Sequence, residues 1–142
     1  MYAMVEKNKI TPIGKMGRGI VYIINSAITK VVLISPFVDF LNWVQLKTAI
    51  ERAIERKVEI ELYIRDAKNY LNSSVEEMID MRIDVFLVKN LHAKIYINES
   101  NAILSSLNLL SFSSRHSIEA GIFITVKRFY KCLSGVFDGH SG

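Results

Sequence analysis

The sequence predicts an α/β protein built on a mixed β-sheet with helices on both faces. Three observations carry this. Segments with apolar residues at helical spacing alternate with short β-branched runs through the first part of the chain. Two later apolar runs, 92–98 and 102–106, are separated by a short polar turn, which suits an antiparallel hairpin. The chain has 142 residues, of which 50% are hydrophobic and 23% charged, enough for one core without a disulfide or metal staple.

The elements follow in order. Residues 1–17 are polar and hold Pro12, Gly14 and Gly17, as in a loose arm or a short edge strand. From Arg18 to Lys30 apolar residues fall at Ile20, Ile23, Ile24, Ala27 and Ile28, the stripe of an amphipathic helix. "VVLIS" at 31–35 reads as a central strand stopped by Pro36. Residues 41–57 repeat apolar positions at Leu46, Ala49, Ile50, Ala53 and Ile54 and predict a helix with a charged outer face. "VEIELYIR" at 58–65 alternates as a strand does.

Residues 73–82 open with Ser73 and Glu76 in a capping-box pattern and predict a short helix. A strand follows at 84–89. Then come strand 92–98, a turn at Glu99-Ser100-Asn101, strand 102–106 and strand 117–126. A closing helix is expected over 127–137 and a disordered tail over 138–142, where His140 is incidental. Crossover helices make the first strands parallel. Residues 18–137 are thus expected to form a single domain.

Lysine and arginine number 18 against 14 acids, a net charge of +4, which favours a polyanionic partner. The one cysteine, Cys132, excludes an intrachain disulfide framework and a multi-cysteine metal site. No apolar stretch is long enough for a membrane span, and "MYAMVEKNK" lacks the apolar run of a signal peptide. The expected location is cytoplasmic, without stable membrane insertion.

One segment does not fit a plain core. "NLHAKIYINESNAILSSLNLL" at 90–110 places His92 and Lys94 in an otherwise apolar stretch. On a strand, His92, Lys94 and Tyr96 would share one side, with Ala93, Ile95 and Ile97 turned into the core. The following strand ends in Ser105 and Ser106, with Asn108 just beyond. An imidazole, an ammonium, hydroxyls and an amide would gather at one end of the sheet, a set able to hold a phosphate. The bland alternative is a structural histidine and an edge lysine pointing to water.

These residues resemble the signature of the phospholipase D superfamily: histidine-x-lysine, four residues, an acid, then a small-residue turn ending in asparagine. Here the pattern is "HAK", "IYIN", Glu99 and "SSLN", with Glu119 in "IEAGIF" as a downstream acid. The sequence departs from the pattern at two places. Glu99 stands for aspartate, and Ser105 for the first glycine of the turn.

The resemblance implies a phospholipase D-like fold and a metal-independent phosphodiesterase that needs no cofactor. It implies that His92 attacks phosphorus to form a phosphohistidine, or acts as the acid. Lys94 and Asn108 would hold the phosphoryl oxygens, and Ser106 would add a bond. Glu119 would hold the other ring nitrogen of His92, and Glu99 would be structural. Arg115 and His116 form a basic loop that either contacts substrate phosphates or is simply solvated.

A nuclease acting on DNA or RNA suits a basic chain best. A lipid-directed phospholipase or phosphatidyl transferase and a non-catalytic binding module remain open beside it. Since the reaction needs two histidines and the chain carries one His-x-Lys, a homodimer sharing one site is expected.

Overall fold

The computed structural model describes residues 2–7, 15–40, 42–110 and 118–127. Its elements are β1 (Tyr2–Lys7), α1 (Lys15–Asn25), β2 (Lys30–Ile34), β3 (Val38–Asp39), α2 (Val44–Glu55), β4 (Glu59–Arg65), α3 (Ser73–Asp80), β5 (Asp84–Val88), β6 (Ile95–Asn98), β7 (Asn101–Ser105), β8 (Leu109–Leu110) and β9 (Ile118–Thr125). Seven strands form one mixed sheet in the order β1-β9-β7-β6-β2-β4-β5, so the α/β expectation is met. β2, β4 and β5 run parallel, joined through α2 and α3. β6, β7, β9 and β1 continue the sheet antiparallel. β3 and β8 form a separate parallel pair that the sequence reading did not anticipate.

Amphipathic stripes build the core. Ile20, Ile23 and Ile24 of α1, Leu46, Ala49 and Ile50 of α2, and Val75 and Met78 of α3 are buried in one cluster. They meet Val31 and Leu33 of β2 and Ile60, Leu62 and Ile64 of β4 there, so the three described helices cover one face of the sheet, and a helix on the other face, as expected, is not among the described residues. The opposite face carries a smaller cluster around Ala102 and Ile124, with Ile95, Ile97 and Leu104 packed on it. The closing helix expected over 127–137 lies outside the described residues beyond Lys127, as does the tail at 138–142.

Several boundaries differ from expectation for identifiable reasons. The arm at 1–17 contains edge strand β1 and the first turn of α1. α2 and α3 each stop two residues before the expected end, at Glu55 and Asp80. Lys57 and Arg82 take left-handed φ angles of 64° and 63°. Lys57 N–H bonds Ile54 O and Val58 N–H bonds Ala53 O, a Schellman closure; Arg82 and Ile83 repeat it on Ile79 and Met78. Such ends usually carry glycine, and the sequence has none there to mark the stop. The cap of α3 is Asn72, whose side chain accepts from Val75 N, and not Ser73.

The hairpin reading needs the largest correction. Residues 91–94 are not strand, and β6 begins at Ile95. Ala93 is exposed, and Ile95 and Ile97 face the smaller cluster. Tyr96 and Asn98 are the residues of β6 that point under the helices. Asn98 is buried with every polar atom engaged. Its amide donates to Ile23 O at 2.7 Å and Ser26 Oγ at 3.0 Å, satisfying the end of α1. Its Oδ1 accepts from Ser100 N and Asn101 N at 2.8 Å each, which makes the hairpin turn.

Asn98→Ala is therefore expected to destabilise the protein by roughly 1–3 kcal/mol or more, because buried partners lose their bonds together. Chemical denaturation measures this. An unchanged midpoint would remove Asn98 from its assigned role.

Candidate active site

Strands β2 and β7 run in the same direction and end where β6 and β9 begin, so one edge of the sheet collects the segments that follow Ile34, Asn90 and Ser105. In open α/β sheets this kind of edge, beside a reversal of strand order, is where ligands bind. The segment 91–94 lies there. Asn90 takes a φ of 57° and turns the chain out of the β5 direction. Arg65, the last residue of β4, donates from Nε to Leu91 O at 2.7 Å and fixes the far side of the segment. Ser105 N donates to Lys94 O at 3.0 Å and fixes the near side. His92 between these anchors is exposed, and Lys94 is half-buried with Nζ 2.9 Å from His92 O. An ammonium has three N–H donors, so this bond leaves two for an anion.

Asn108 is held from the other side. Its Oδ1 accepts from Phe37 N at 3.4 Å and lies 3.4 Å from Ser35 Oγ. Ser35 Oγ donates to Phe37 O at 2.7 Å and accepts from Leu109 N at 2.9 Å. With its oxygen held, the Asn108 amide presents its NH2 group as donor.

Ser106 and Glu119 form the floor. Glu119 is 6% exposed, and its Oε2 accepts from Ser106 Oγ. Ser106 Oγ also accepts from Ala120 N at 3.0 Å, and Ser106 N donates to Ala120 O at 2.9 Å. The hydroxyl has one proton and gives it to Glu119, so Ser106 joins β7 to β9 at this edge. Ser105 makes the turn beside it, its Oγ accepting from Leu107 N at 2.8 Å. The close approach comes instead from Gly121, paired with Ser105, where a Cβ would meet Leu104 O and Met16 Sδ at 2.8 Å. Below, burial raises the Tyr96 phenol well above its ordinary value, and its OH donates to Leu107 O.

Glu99 stands at the other end of β6 and serves the fold. Its carboxylate accepts from Ile28 N, and from Lys30 N at 3.4 Å, tying the hairpin turn to the α1–β2 loop. Burial pushes this carboxyl up, but the main-chain N–H groups outweigh it and hold it below the usual carboxylate range.

His92, Lys94, Ser106, Asn108 and Glu119 are thus carried to one edge. Arg115 and His116 lie outside the described residues. Reading the sequence missed Ser35, Phe37 and Arg65; a serine closing an apolar strand just before proline was the one available signal for Ser35. No group of three or more histidines, cysteines or acids placed to hold a metal occurs among the described residues. None of their helices is long and apolar enough to cross a membrane.

A depressed carboxyl stabilises the fold above its unfolded value of about 4.3 and loses that contribution as pH falls through the lower folded value. The stability difference between the protein and Glu99→Gln should be constant near neutrality and shrink below pH ~4. A difference that does not change between pH 7 and pH 3 would refute the assignment.

No family model matches the sequence, and no curated protein does. Solved structures match its fold. Nuc from Salmonella typhimurium, a phospholipase D family member, superposes with a TM-score of 0.69 at 18% identity, covering 96% of this chain and 92% of that one. NucT from Helicobacter pylori gives 0.63 at 12% identity, covering 94% and 91%. TrmBL2, an archaeal chromatin protein whose structure shows a mode of DNA binding, gives 0.57 at 13% identity, covering 97% of this chain and 51% of that one. The chain therefore has the fold of the phospholipase D family member Nuc.

Proposed function

We propose that the protein is a metal-independent phosphodiesterase that cleaves nucleic-acid backbones through a phosphohistidine, at a site shared by two chains. The observation that carries this reading is that the chain on either side of His92, at Leu91 and Lys94, and the Asn108 side chain are held at the same edge of the sheet, which supports a shared phosphate site. The likeness of fold to Nuc and NucT and the net charge of +4 support a nucleic-acid substrate.

Two Nζ protons of Lys94 and the Asn108 NH2 bind the non-bridging phosphoryl oxygens and take up charge as it develops. A ring nitrogen of His92 attacks phosphorus, and the bond to the leaving oxygen breaks. The partner chain's copy of His92 protonates that oxygen. Water then attacks phosphorus, gives its proton to the same partner imidazole, and the N–P bond breaks. Both histidines end as they began. Glu119 and Ser106 hold the floor under the reacting group. Arg115 and His116 are proposed contacts to flanking phosphates. Exposure of His92 on one chain suits a site completed by a second copy across a two-fold axis.

The tests follow from these roles. His92→Ala should lower cleavage of oligonucleotides by about 10²–10⁴-fold or more in excess chelator, with the fold intact by circular dichroism. Lys94→Ala should be nearly as damaging. Retained turnover in His92→Ala would remove the nucleophile. Mixed dimers of wild-type and tagged His92→Ala chains should be almost inactive if the site is shared. Half of the wild-type rate in the mixed dimer would rule sharing out.

A second reading has its own support. TrmBL2 is described by its mode of DNA binding, so a nucleic-acid-binding role without turnover is the alternative. Oligonucleotide binding without cleavage by the unsubstituted protein would establish it.

A further inference from the structure

Beside the candidate active site lies a cleft of about 300 Å³ that the proposed chemistry does not use. Phe37 forms one wall and is 48% exposed. Its exposure is not that of a slack loop. Phe37 N is bound to Asn108 Oδ1, and Phe37 O accepts from Ser35 Oγ at 2.7 Å. The Arg65 guanidinium carbon lies 4.9 Å from the ring centroid, against Phe37, while its Nε is spent on Leu91 O. A guanidinium thus lies over an aromatic ring that is half exposed at the surface. The same two residues hold Asn108 on one side and the His92 segment on the other.

We infer that this cleft is a nucleobase subsite, which receives an unpaired base next to the phosphate held by Lys94 and Asn108. The inference rests on the nucleic-acid reading above and narrows it to single strands. Flat stacking on aromatic rings and guanidinium planes is how proteins hold unpaired bases. The charged residues of the lining are Asp39 and Arg65, one of each sign, so the cleft is not a second phosphate site. Asp39 and Asn69 are exposed in it and offer acceptors and donors to a base edge, while Leu110 and Ile64 add apolar wall. A base stacked within a duplex cannot enter without being flipped out, which costs unpairing and unstacking.

The test is binding of a fluorescent single-stranded oligonucleotide to full-length protein carrying His92→Ala, which prevents turnover. Phe37→Ala added to this background should weaken binding about tenfold, and Phe37→Trp should restore it. A set of oligonucleotides, each with one abasic position, should include one that the Phe37-containing protein binds about tenfold more weakly and that Phe37→Ala weakens no further. The fully paired duplex should show no dependence on Phe37. Since Phe37 is half exposed, its loss should leave the melting temperature unchanged.

Equal weakening of every abasic oligonucleotide by Phe37→Ala, or no weakening of the intact strand, would overturn the subsite. So would failure of the intact strand to bind. Failure of the nuclease reading is a separate result, seen as absent cleavage by protein with His92 intact while the Phe37-dependent binding persists.

Discussion

A buried amide fixes the register on which the site depends. Asn98 sits among apolar residues, and its four hydrogen-bonding positions are taken by α1 on one side and the hairpin turn on the other. A one-residue slip of β6 would move this amide to the opposite face and strand it without partners. The pairing of Ile95 with Leu104 is locked in consequence, and that pairing brings Lys94 beside Ser105. The chemistry at one end of the hairpin is therefore set by a polar group at the other. Glu99, next in sequence, extends the same tie to the α1–β2 loop.

At the edge itself, most polar atoms are already committed to holding one another. Ser35, Ser105, Ser106 and Arg65 Nε all bond main chain or a neighbouring side chain. Among the described residues, they leave presented the imidazole of His92, the ammonium of Lys94 and the amide of Asn108. Preorganisation of this kind lets donors meet developing charge without first rearranging. It also explains why the residues that build the edge outnumber those proposed to act there.

Much of this was legible in the sequence, and the gaps have physical causes. The periodicity of α2 and the alternation of β4 gave their type and face directly, because burial on one face selects residues at that spacing. The ends of α2 and α3 were not legible, since lysine and arginine occupy left-handed positions where glycine is usual. His92 and Lys94 were visible as polar residues in an apolar run. Their conformation was not, because a left-handed asparagine and two tertiary hydrogen bonds pull 91–94 out of the strand. The capping asparagine of α3 was hidden by a neighbouring serine that fitted a capping box equally well. Phe37 and Arg65 belong to no motif; they are brought together only by the parallel pairing of β2 with β4.

The left-handed turns at Lys57 and Arg82 have a consequence for how this fold tolerates change. Each holds a side chain in a conformation that costs a non-glycine residue roughly 1–2 kcal/mol. Both lie just before the amino ends of β4 and β5, while the candidate site lies at the opposite end of the sheet. Reserves of stability and the proposed chemistry are thus spatially uncoupled. Glycine at either turn would release strain, offset in part by the greater freedom of the unfolded chain. A lineage carrying this scaffold could accumulate destabilising changes around the site and compensate them at the far rim, leaving the geometry of His92 and Lys94 untouched.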